Sequence, residues 1–526
     1  MPIIPFPEWA PDQPDFNPPG SSVIRNCTPL TAKSYGPMPT PQLWSQNALD
    51  ARCQGSYSVK DANDAVYVFA GDQTKLYMIP PSGESFADAS RTTGGAYATQ
   101  PVGSGGFWSM TAFGKRVVAS NYIDSMQTIV LGQTHFSELS ATAPKAKFVA
   151  VVKDFLFAAN TVDPTDGAVP YRVWWSALGN PTLWPTPGSV TAQQLQSDYQ
   201  DLVQTDLGVI TGLSSGFLGN ADVAVFMERG IYVFNFTGPP QIFSVRVAGN
   251  APGAIAPLSI VPGRLRAPNG PILPAVFYLG EDGFQAFTGD AAVPIGAQKF
   301  DREFFRECNG TYLHYVQGVA DPASKLIFWA FASEVSNEGL FDRVLVYNWE
   351  LGRAVICDMN PEINHGEWLT RNTMYASAYN LEELDQFGNL EVIRPSFDDR
   401  FWTGDQTARL SMYRSDHTLA LWTGPAMGPT LDIPEIEFAK GRRSWVTNAR
   451  PLIDGGVAAG TVQLGRRDRL ADPVVWGAEV PINIIGECPQ RASGRYIRLR
   501  FHMPPGQNFS HLQGLDVTAG PGGRMR

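Results

Sequence analysis

The stretch VAVFMERGIYVFNF, Val223 to Phe236, predicts a β-hairpin. Apolar and β-branched residues fill both ends of it, and a Glu-Arg-Gly turn separates them. The turn glycine suits the positive φ that tight hairpins demand. The pattern returns 53 residues later, because EDGFQAF (Glu281–Phe287) matches ERGIYVF (Glu228–Phe234) in its acidic residue, its glycine and its alternating apolar residues. The sequence therefore predicts a repeated antiparallel unit.

Similar strand–turn–strand runs recur from about residue 55 to about residue 400. Their approximate anchors are Val66, Val117, Phe155, Val223, Val276 and Leu326. These anchors lie 38 to 68 residues apart, and repeats of about 40–50 residues with four strands each are typical of β-propellers. A further segment around MYASAYN (Met374–Asn380) would complete a ring of six or seven blades.

The composition agrees with an all-β chain that is rich in turns. Hydrophobic residues make up 44% of the 526 residues and charged residues 17%, and there are 51 glycines and 42 prolines. The net charge of -10 excludes a general nucleic-acid binder, which would carry a basic face. Since no apolar run approaches the roughly 20 residues that cross a bilayer, we expect no membrane span.

The character of the sequence changes twice and predicts three regions. Residues 1–45 are rich in proline and predict an extended arm that lies on its own body or on a neighbour. Residues 46–424 form the predicted propeller with loop insertions. Residues 425–526 alternate apolar residues with arginine, as half-buried strands do, and predict a β-sandwich-like platform domain with a basic outer face.

Charge is distributed unevenly between these regions. From Leu431 to the end there are 13 basic and 9 acidic side chains, whereas the first 430 residues hold 27 and 41. Such asymmetry is either an accident of solvation or the mark of an interface for an acidic partner. The candidate interface cluster consists of Arg466, Arg467, Arg469, Arg495, Arg498 and Arg500. An ordinary solvated face explains these arginines equally well.

Catalytic motifs are weak in this chain. GLSSG (Gly212–Gly216) fits the Gly-x-Ser-x-Gly pattern, but a strand is predicted after it where a nucleophile elbow needs a helix. We therefore expect a plain Gly/Ser loop around Ser214. The pair Asp398 and Asp399 and the DPTDG stretch (Asp163–Gly167) predict ordinary turns. No catalytic residue is assigned, and we expect that the protein is not an enzyme.

Neither a metal site nor a cofactor is indicated. The six histidines lack the spacing of metal-binding motifs. The five cysteines are scattered and form no CxxC pair, so we expect reduced thiols. The N-terminal MPIIPFPEWAPDQPDF has no basic start and contains several prolines, so we expect no signal peptide and synthesis in a cytoplasm.

Three of the thirteen tryptophans lie close together in PYRVWWSALGNPTLWP (Pro170–Pro185). They are Trp174, Trp175 and Trp184. Tryptophan combines a large apolar face with one hydrogen-bond donor, which suits either a sugar-stacking platform or a packed corner. A single cluster without a pair of acids cannot hydrolyse a glycan. We therefore favour a packed corner between two blades.

Longer phrases carry a family resemblance that runs over most of the chain. They include PFPEWAPDQPDF followed by SVIRNCTPLTAKSYGPMPT, FWSMTAFGKRVVASN, KFVAVVKDFLFAANT, GFLGNADVAVFMERGIYVFNFTGPPQIF, VFYLGEDGFQAFTGDAAVPIG and RASGRYIRLRFHMPPGQNFSHLQG. Together they resemble the tail-nozzle family of short-tailed bacteriophages, also called tail tubular protein B or head-to-tail (packaged-DNA) stabilisation proteins. Loops differ freely in that family, so roles in loops are not carried over.

The resemblance implies a structural virion protein. Members form a ring, commonly of six copies, below the portal and an adaptor, and each copy has a propeller and a β-rich platform. The ring retains packaged DNA and conducts it outward during ejection. The implied partners are further copies of the chain, the adaptor, tail fibre or spike proteins, and the double-stranded DNA in the channel. The implied location is the virion tail, after synthesis in the host bacterial cytoplasm.

In a ring that conducts DNA, the uneven distribution of charge has a physical interpretation. Basic side chains that neutralise phosphates bind DNA strongly, so an acidic body would suit a surface along which DNA slides. Two other functions fit a propeller. One is a glycan-binding or glycan-cleaving protein of the host surface, which needs a cleft with two carboxylates to cleave. The other is a cellular scaffold, which predicts a stable monomer.

Overall fold

The structure is a computed structural model that describes residues 3–14, 16, 20–81, 83–163, 165–203, 206–216, 222–266, 270–336, 338–359, 365–373, 408–455 and 459–522. The N-terminal region contributes seven strands. These are β1 (Ile3–Pro5), β2 (Glu8–Trp9), β3 (Gly20–Ser21), β4 (Ile24–Arg25), β5 (Cys27–Thr31), β6 (Ser34–Pro37) and β7 (Pro39–Ala48).

Six four-stranded antiparallel blades follow, each built from consecutive strands. Blades 1 to 3 contain β8 (Gly55–Lys60), β9 (Val66–Gly71), β10 (Leu76–Ile79), β11 (Ala87–Asp88), β12 (Ser109–Phe113), β13 (Arg116–Ser120), β14 (Gln127–Val130), β15 (Ser137–Glu138), β16 (Lys145–Val152), β17 (Phe155–Asp163), β18 (Gly167–Trp175) and β19 (Asp198–Asp201). Blades 4 to 6 contain β20 (Ile210–Ser215), β21 (Asp222–Met227), β22 (Ile231–Phe236), β23 (Phe243–Val247), β24 (Val261–Arg266), β25 (Ile272–Gly280), β26 (Gly283–Phe287), β27 (Ala292–Pro294), β28 (Gln317–Asp321), β29 (Leu326–Phe331), β30 (Arg343–Asn348) and β31 (Arg353–Asp358).

A seventh blade and the platform complete the chain. Blade 7 contains β32 (Gly366–Thr373), β33 (Ala408–Arg414) and β34 (Thr418–Ala426), and the platform contains β35 (Thr430–Ile436), β36 (Ser444–Asp454), β37 (Thr461–Arg467), β38 (Val475–Pro481), β39 (Cys488–Gly494), β40 (Tyr496–His502) and β41 (His511–Pro521). The α-helices of the described residues are α1 (Val190–Leu195) and α2 (Asp301–Glu307). Short 3-10 turns occur at Val102–Ser104, Pro257–Ser259 and Gly310–Tyr315.

The predicted all-β propeller is confirmed, and it has seven blades. Each of the six anchor residues falls in the second strand of a blade. These strands are buried and rich in apolar residues, so they are the part of each hairpin that is easiest to recognise in the sequence. The first strands of the blades lie innermost, and most of them contact the first strand of the next blade. Between blades 4 and 5, β20 contacts the 3-10 turn at Pro257–Ser259, which precedes β24. The ring closes where β32 of blade 7 meets β8 of blade 1.

The hairpin glycines serve two different physical needs. Gly283 has a φ of +124°, as the tight turn between β25 and β26 predicts. Gly230 does not have a positive φ. A Cβ at Gly230 would lie 2.8 Å from Cδ1 of Leu207, so close packing is what favours glycine there.

Blade 7 takes its fourth strand from the N-terminal region. Strand β7 pairs with β34, with Leu43 opposite Ala420 and Gln42 opposite Leu421. The boundary predicted between residues 45 and 46 thus falls within β7, and the one predicted between 424 and 425 falls within β34. The segment MYASAYN, which was predicted to supply a blade, lies outside the described residues.

The platform is joined to the rim of blade 6 by a continuous sheet. Strand β31, the outermost of blade 6, pairs with β4, and β4 pairs with β35 of the platform. The resulting nine-stranded sheet ends at β38. The second platform sheet has the order β39-β36-β41-β6-β5, and β1 also pairs with β41. The N-terminal strands therefore belong to both the propeller and the platform.

Buried polar contacts fix the N-terminal strands on the body. The Arg353 guanidinium, on a residue that is 6% exposed, donates to the carbonyl oxygens of Pro7 and Thr31, each at 2.8 Å. Arg25 in β4 forms ion pairs with Glu307 at 2.8 Å and with Asp358 at 2.6 Å. One hydrophobic core runs from the blades into the platform without interruption.

Candidate functional site

Most of the predicted arginine cluster is neutralised within the chain. Antiparallel pairing of β40 with β35 places Arg498 and Arg500 beside the fully buried Asp432. The Nε of Arg498 lies 2.9 Å from Oδ2 of Asp432, and the Nε of Arg500 lies 2.7 Å from Oδ1. The hydrogen bond to Asp432 raises the pKa of Arg500.

Two further arginines of the cluster pair with the next acids along the chain, one in β35 and one just after it. Nη2 of Arg467 donates to Glu435 at 2.6 Å, and Nε of Arg495 donates to Glu437 at 2.9 Å. Arginines on or next to β37 and β40 thus form a ladder of charge-assisted hydrogen bonds with carboxylates on or just after β35. Four of the six candidates are engaged in this ladder. The side chains of Arg466 and Arg469 are exposed.

Arg466 borders a groove between the two open edges of the platform. Strands β38 and β39 each end a platform sheet, and a groove of about 350 Å³ lies between them. Val475, Trp476 and Arg491 also line it. Sequence reasoning did not select Trp476 or Arg491, because no motif shows which strands end a sheet.

The three clustered tryptophans occupy the seams on both faces of blade 3. Trp174 and Trp184 pack edge-to-face at 6.1 Å, in a cluster with Val118 and Leu139 of blade 2. Trp175 points to the other face and lies 5.2 Å from the ring of Phe243 in blade 4. The three residues are 2% to 7% exposed, so no sugar ring can stack on them in this conformation.

The weak catalytic motifs take structural places. Ser214 is buried in β20, the innermost strand of blade 4, so the predicted Gly/Ser loop is a strand. Buried and half-buried residues alternate along this strand, but small Gly and Ser residues do not show that alternation in the sequence. In the DPTDG stretch, Asp163 and Asp166 accept hydrogen bonds from Arg172 at 2.9 and 2.6 Å. Asp398 and Asp399 lie outside the described residues.

The histidines and cysteines of the described residues form no group of three or more potential metal ligands with Asp or Glu. All five cysteines are buried free thiols. His417 lies between β33 and β34, and its Nδ1 is 2.7 Å from Oε1 of Glu367, which is 2% exposed. This hydrogen bond raises the pKa of His417. The backbone N–H of Cys53, just before blade 1, donates to the other Glu367 oxygen at 3.1 Å.

A buried carboxyl group lies where the N-terminal strands meet blades 5 and 6. Oδ1 of Asp301 accepts a hydrogen bond from the Phe284 N–H at 3.2 Å, and burial raises the pKa of Asp301 to about 6. Within the described residues, its Oδ2 has no hydrogen-bond partner. Asp12 from the N-terminal region accepts from the N–H groups of Arg302 and Glu303 at 3.0 Å each, which satisfies the start of α2.

Basic side chains predominate on the innermost strands of the propeller. These strands carry the basic residues Lys60, Lys145, Lys147, Arg264, Arg266 and Arg371 and the acidic residues Asp321 and Glu367. Some of the charge is compensated locally, since Arg371 lies 3.4 Å from Asp321 and Arg266 lies 2.7 Å from Glu350. On these strands basic side chains thus outnumber acidic ones, in contrast to the net acidic charge of the body.

Comparison with known proteins gives structural neighbours only. No family model and no curated protein matches the chain. Among solved structures, YCF48 bound to D1 peptide is 10% identical with a TM-score of 0.35, covering 73% of this chain and 97% of the other. The N-terminal domain of Nup159 is 8% identical with a TM-score of 0.36, covering 74% and 96%. The computationally designed Ika8 protein is 9% identical with a TM-score of 0.35, covering 74% and 92%.

Neither α-helix of the described residues is long and apolar enough to cross a membrane.

Proposed function

We propose that this protein is a tail-nozzle subunit of a short-tailed bacteriophage. In this role, a ring of copies below the portal and adaptor retains packaged DNA and conducts it outward at ejection. The observation that carries the proposal is the single sheet that runs from blade 6 through β4 into the platform. It supports the proposal because the family resemblance in the sequence implies a propeller and a β-rich platform in each copy.

The charges on the blades suggest where DNA would pass. The innermost strands of one propeller carry an excess of basic side chains, which would hold a polyanion by releasing its counterions. A conducting surface should not hold DNA in this way. The proposed passage is therefore the opening enclosed by several copies, which other surfaces of the net acidic body would line.

The glycan alternative receives less support from the geometry. Its strongest sequence feature was the tryptophan cluster, and those side chains fill the seams of blade 3. The pair that could have served as acids, Asp398 and Asp399, lies outside the described residues. The carboxylates of the DPTDG stretch both face Arg172. A cleaving site needs two carboxylates that face a shared cleft.

The test is reconstitution of genome retention. Phage particles assembled without their nozzle would be filled with DNA, incubated with the purified protein and treated with nuclease. We expect the protein to protect the packaged DNA in particles that carry a matching adaptor. Unprotected DNA together with release of sugars from host polysaccharide would contradict the nozzle role and support the glycan alternative.

A further inference from the structure

The platform ends in an open edge that has the features of a strand-binding site. Strand β38 pairs with β37 on one side, and within the described residues its other side is unpaired. Val475 is 58% exposed, and Ile484 and Ile485 in the following loop are 104% and 66% exposed. Edge strands with exposed apolar residues pair readily with a further strand.

The groove beside this edge has a basic lining. Its lining residues include Arg466 and Arg491 and no carboxylate. The one acid on β38, Glu479, lies outside this lining and accepts a hydrogen bond from the Thr461 hydroxyl at 3.0 Å. Within the described residues, neither arginine has an ion pair, and the one hydrogen bond of the Arg466 side chain is a 3.4 Å contact with the Ser493 carbonyl. Exposed guanidinium groups beside an unpaired backbone edge suit an extended strand that carries carboxylates.

The outer strands of the blades offer one good match within the chain itself. Strands β11, β15 and β27 are only two or three residues long, and the outer edge of blade 6 is occupied by the platform. Strand β23 carries Arg246, and β7 carries no charge. Strand β19, Asp198–Asp201, is left as an edge of four residues with carboxylates and no basic side chain.

The position of β19 also suits contact between copies. Blade 3 is three blades from blade 6 in one direction around the ring and four in the other, so β19 lies across the propeller from the platform. Asp198 is exposed, and Val203 just after the strand is 62% exposed. A contact between opposite sides of the molecule is head-to-tail, and head-to-tail contacts close into rings when the rotation allows.

We propose that the β38 edge of one copy pairs with the β19 edge of a second copy, with Arg466 and Arg491 facing the carboxylate of Asp198. This inference rests on the proposed ring and names the surfaces that build it. Backbone pairing supplies the affinity, and the charges select acidic β19 over the other edges. Each copy uses both edges once, so the same contact repeats around the ring.

The test uses two charge-reversal variants and mass photometry. The variant R466E/R491E reverses the groove, and D198R reverses the strand. Each variant alone should associate at least tenfold more weakly than the wild type, because like charges face each other. The mixture should assemble again, because every contact in a ring of alternating variants joins opposite charges. The assemblies should contain equal numbers of the two variants.

Controls separate this contact from loss of folding and from the nozzle role. R450E reverses an exposed arginine on β36, outside the groove, and should assemble like the wild type. Variants that assemble alone, a mixture that stays dissociated, or a wild type that is monomeric even on the adaptor would overturn the contact. Assemblies that fail to protect packaged DNA would instead contradict the nozzle role and leave the contact standing.

Discussion

At the scale of single residues, Asp301 is the group whose environment least suits its charge. Its carboxyl is 6% exposed, and its pKa of about 6 lies above the ordinary value near 3.8. The unfolded chain therefore ionises this group at lower pH than the folded chain does. The resulting loss of stability begins as the pH rises past about 4 and is complete above about 6.

Asp301→Asn should remove this penalty while keeping an acceptor for the Phe284 N–H. At pH 7.5 we expect the variant to be more stable than the wild type by about 1 to 3 kcal/mol. At pH 4 the two should unfold at nearly the same temperature. Differential scanning calorimetry at both pH values checks this, and an equal shift at both would contradict the account.

His417 should also contribute stability that falls as the pH rises, because its pKa too is raised in the folded chain. Its pKa is raised by the hydrogen bond to Glu367, and the charges of Glu367, Asp416 and Asp72 add to the effect. Stabilisation is complete below the ordinary histidine pKa and is lost as the pH rises through the folded value.

We therefore expect His417→Asn to cost more stability at pH 5.5 than at pH 9. Asparagine suits the φ of +64° at this position better than most residues. Thermal unfolding measures the difference. H135N is the control, because it alters a histidine that, among the described residues, contacts the backbone carbonyl of Ser90 and no carboxylate. A constant cost for H417N across this range would exclude the charged pair.

At the scale of elements, the packing of the N-terminal strands on the body should depend on Arg353. Arg353→Met removes the donor to the carbonyl oxygens of Pro7 and Thr31, which lie in partly buried hydrogen bonds. The expected cost is about 1 to 3 kcal/mol, because these acceptors lose hydrogen bonds from a charged group. Limited proteolysis should then cut within the first 40 residues. R266M, which removes an ion pair with Glu350 near the surface, should leave the cleavage pattern unchanged.

The seams of blade 3 give a second prediction about elements. Trp174→Ala opens the seam with blade 2, and Trp175→Ala opens the seam with blade 4. Each should cost about 3 to 5 kcal/mol, as large-to-small changes in a core do. Thermal unfolding measures the loss. Host polysaccharide should leave the tryptophan fluorescence of the wild type unchanged. A saturable change that is lost in the Trp174→Ala or Trp175→Ala variant would contradict burial of these rings.

At the scale of the whole molecule, local patterns predicted the blades well and long-range pairing poorly. Each anchor from Val66 to Leu326 marked a blade, because the two strands of a hairpin are neighbours in the sequence. The closure of blade 7 by β7 joins Leu43 to Ala420, and no local signal reports such a pairing. The arginine cluster was visible, but its carboxylate partners in β35 depend on strand order.

The central claim is that this chain builds a ring below a phage adaptor, and the size of its assemblies tests that claim most directly. Mass photometry would be applied to the purified protein alone and mixed with a phage adaptor–portal complex. The account predicts a ring-sized species, either alone or on the adaptor. A stable monomer that ignores the adaptor would contradict it.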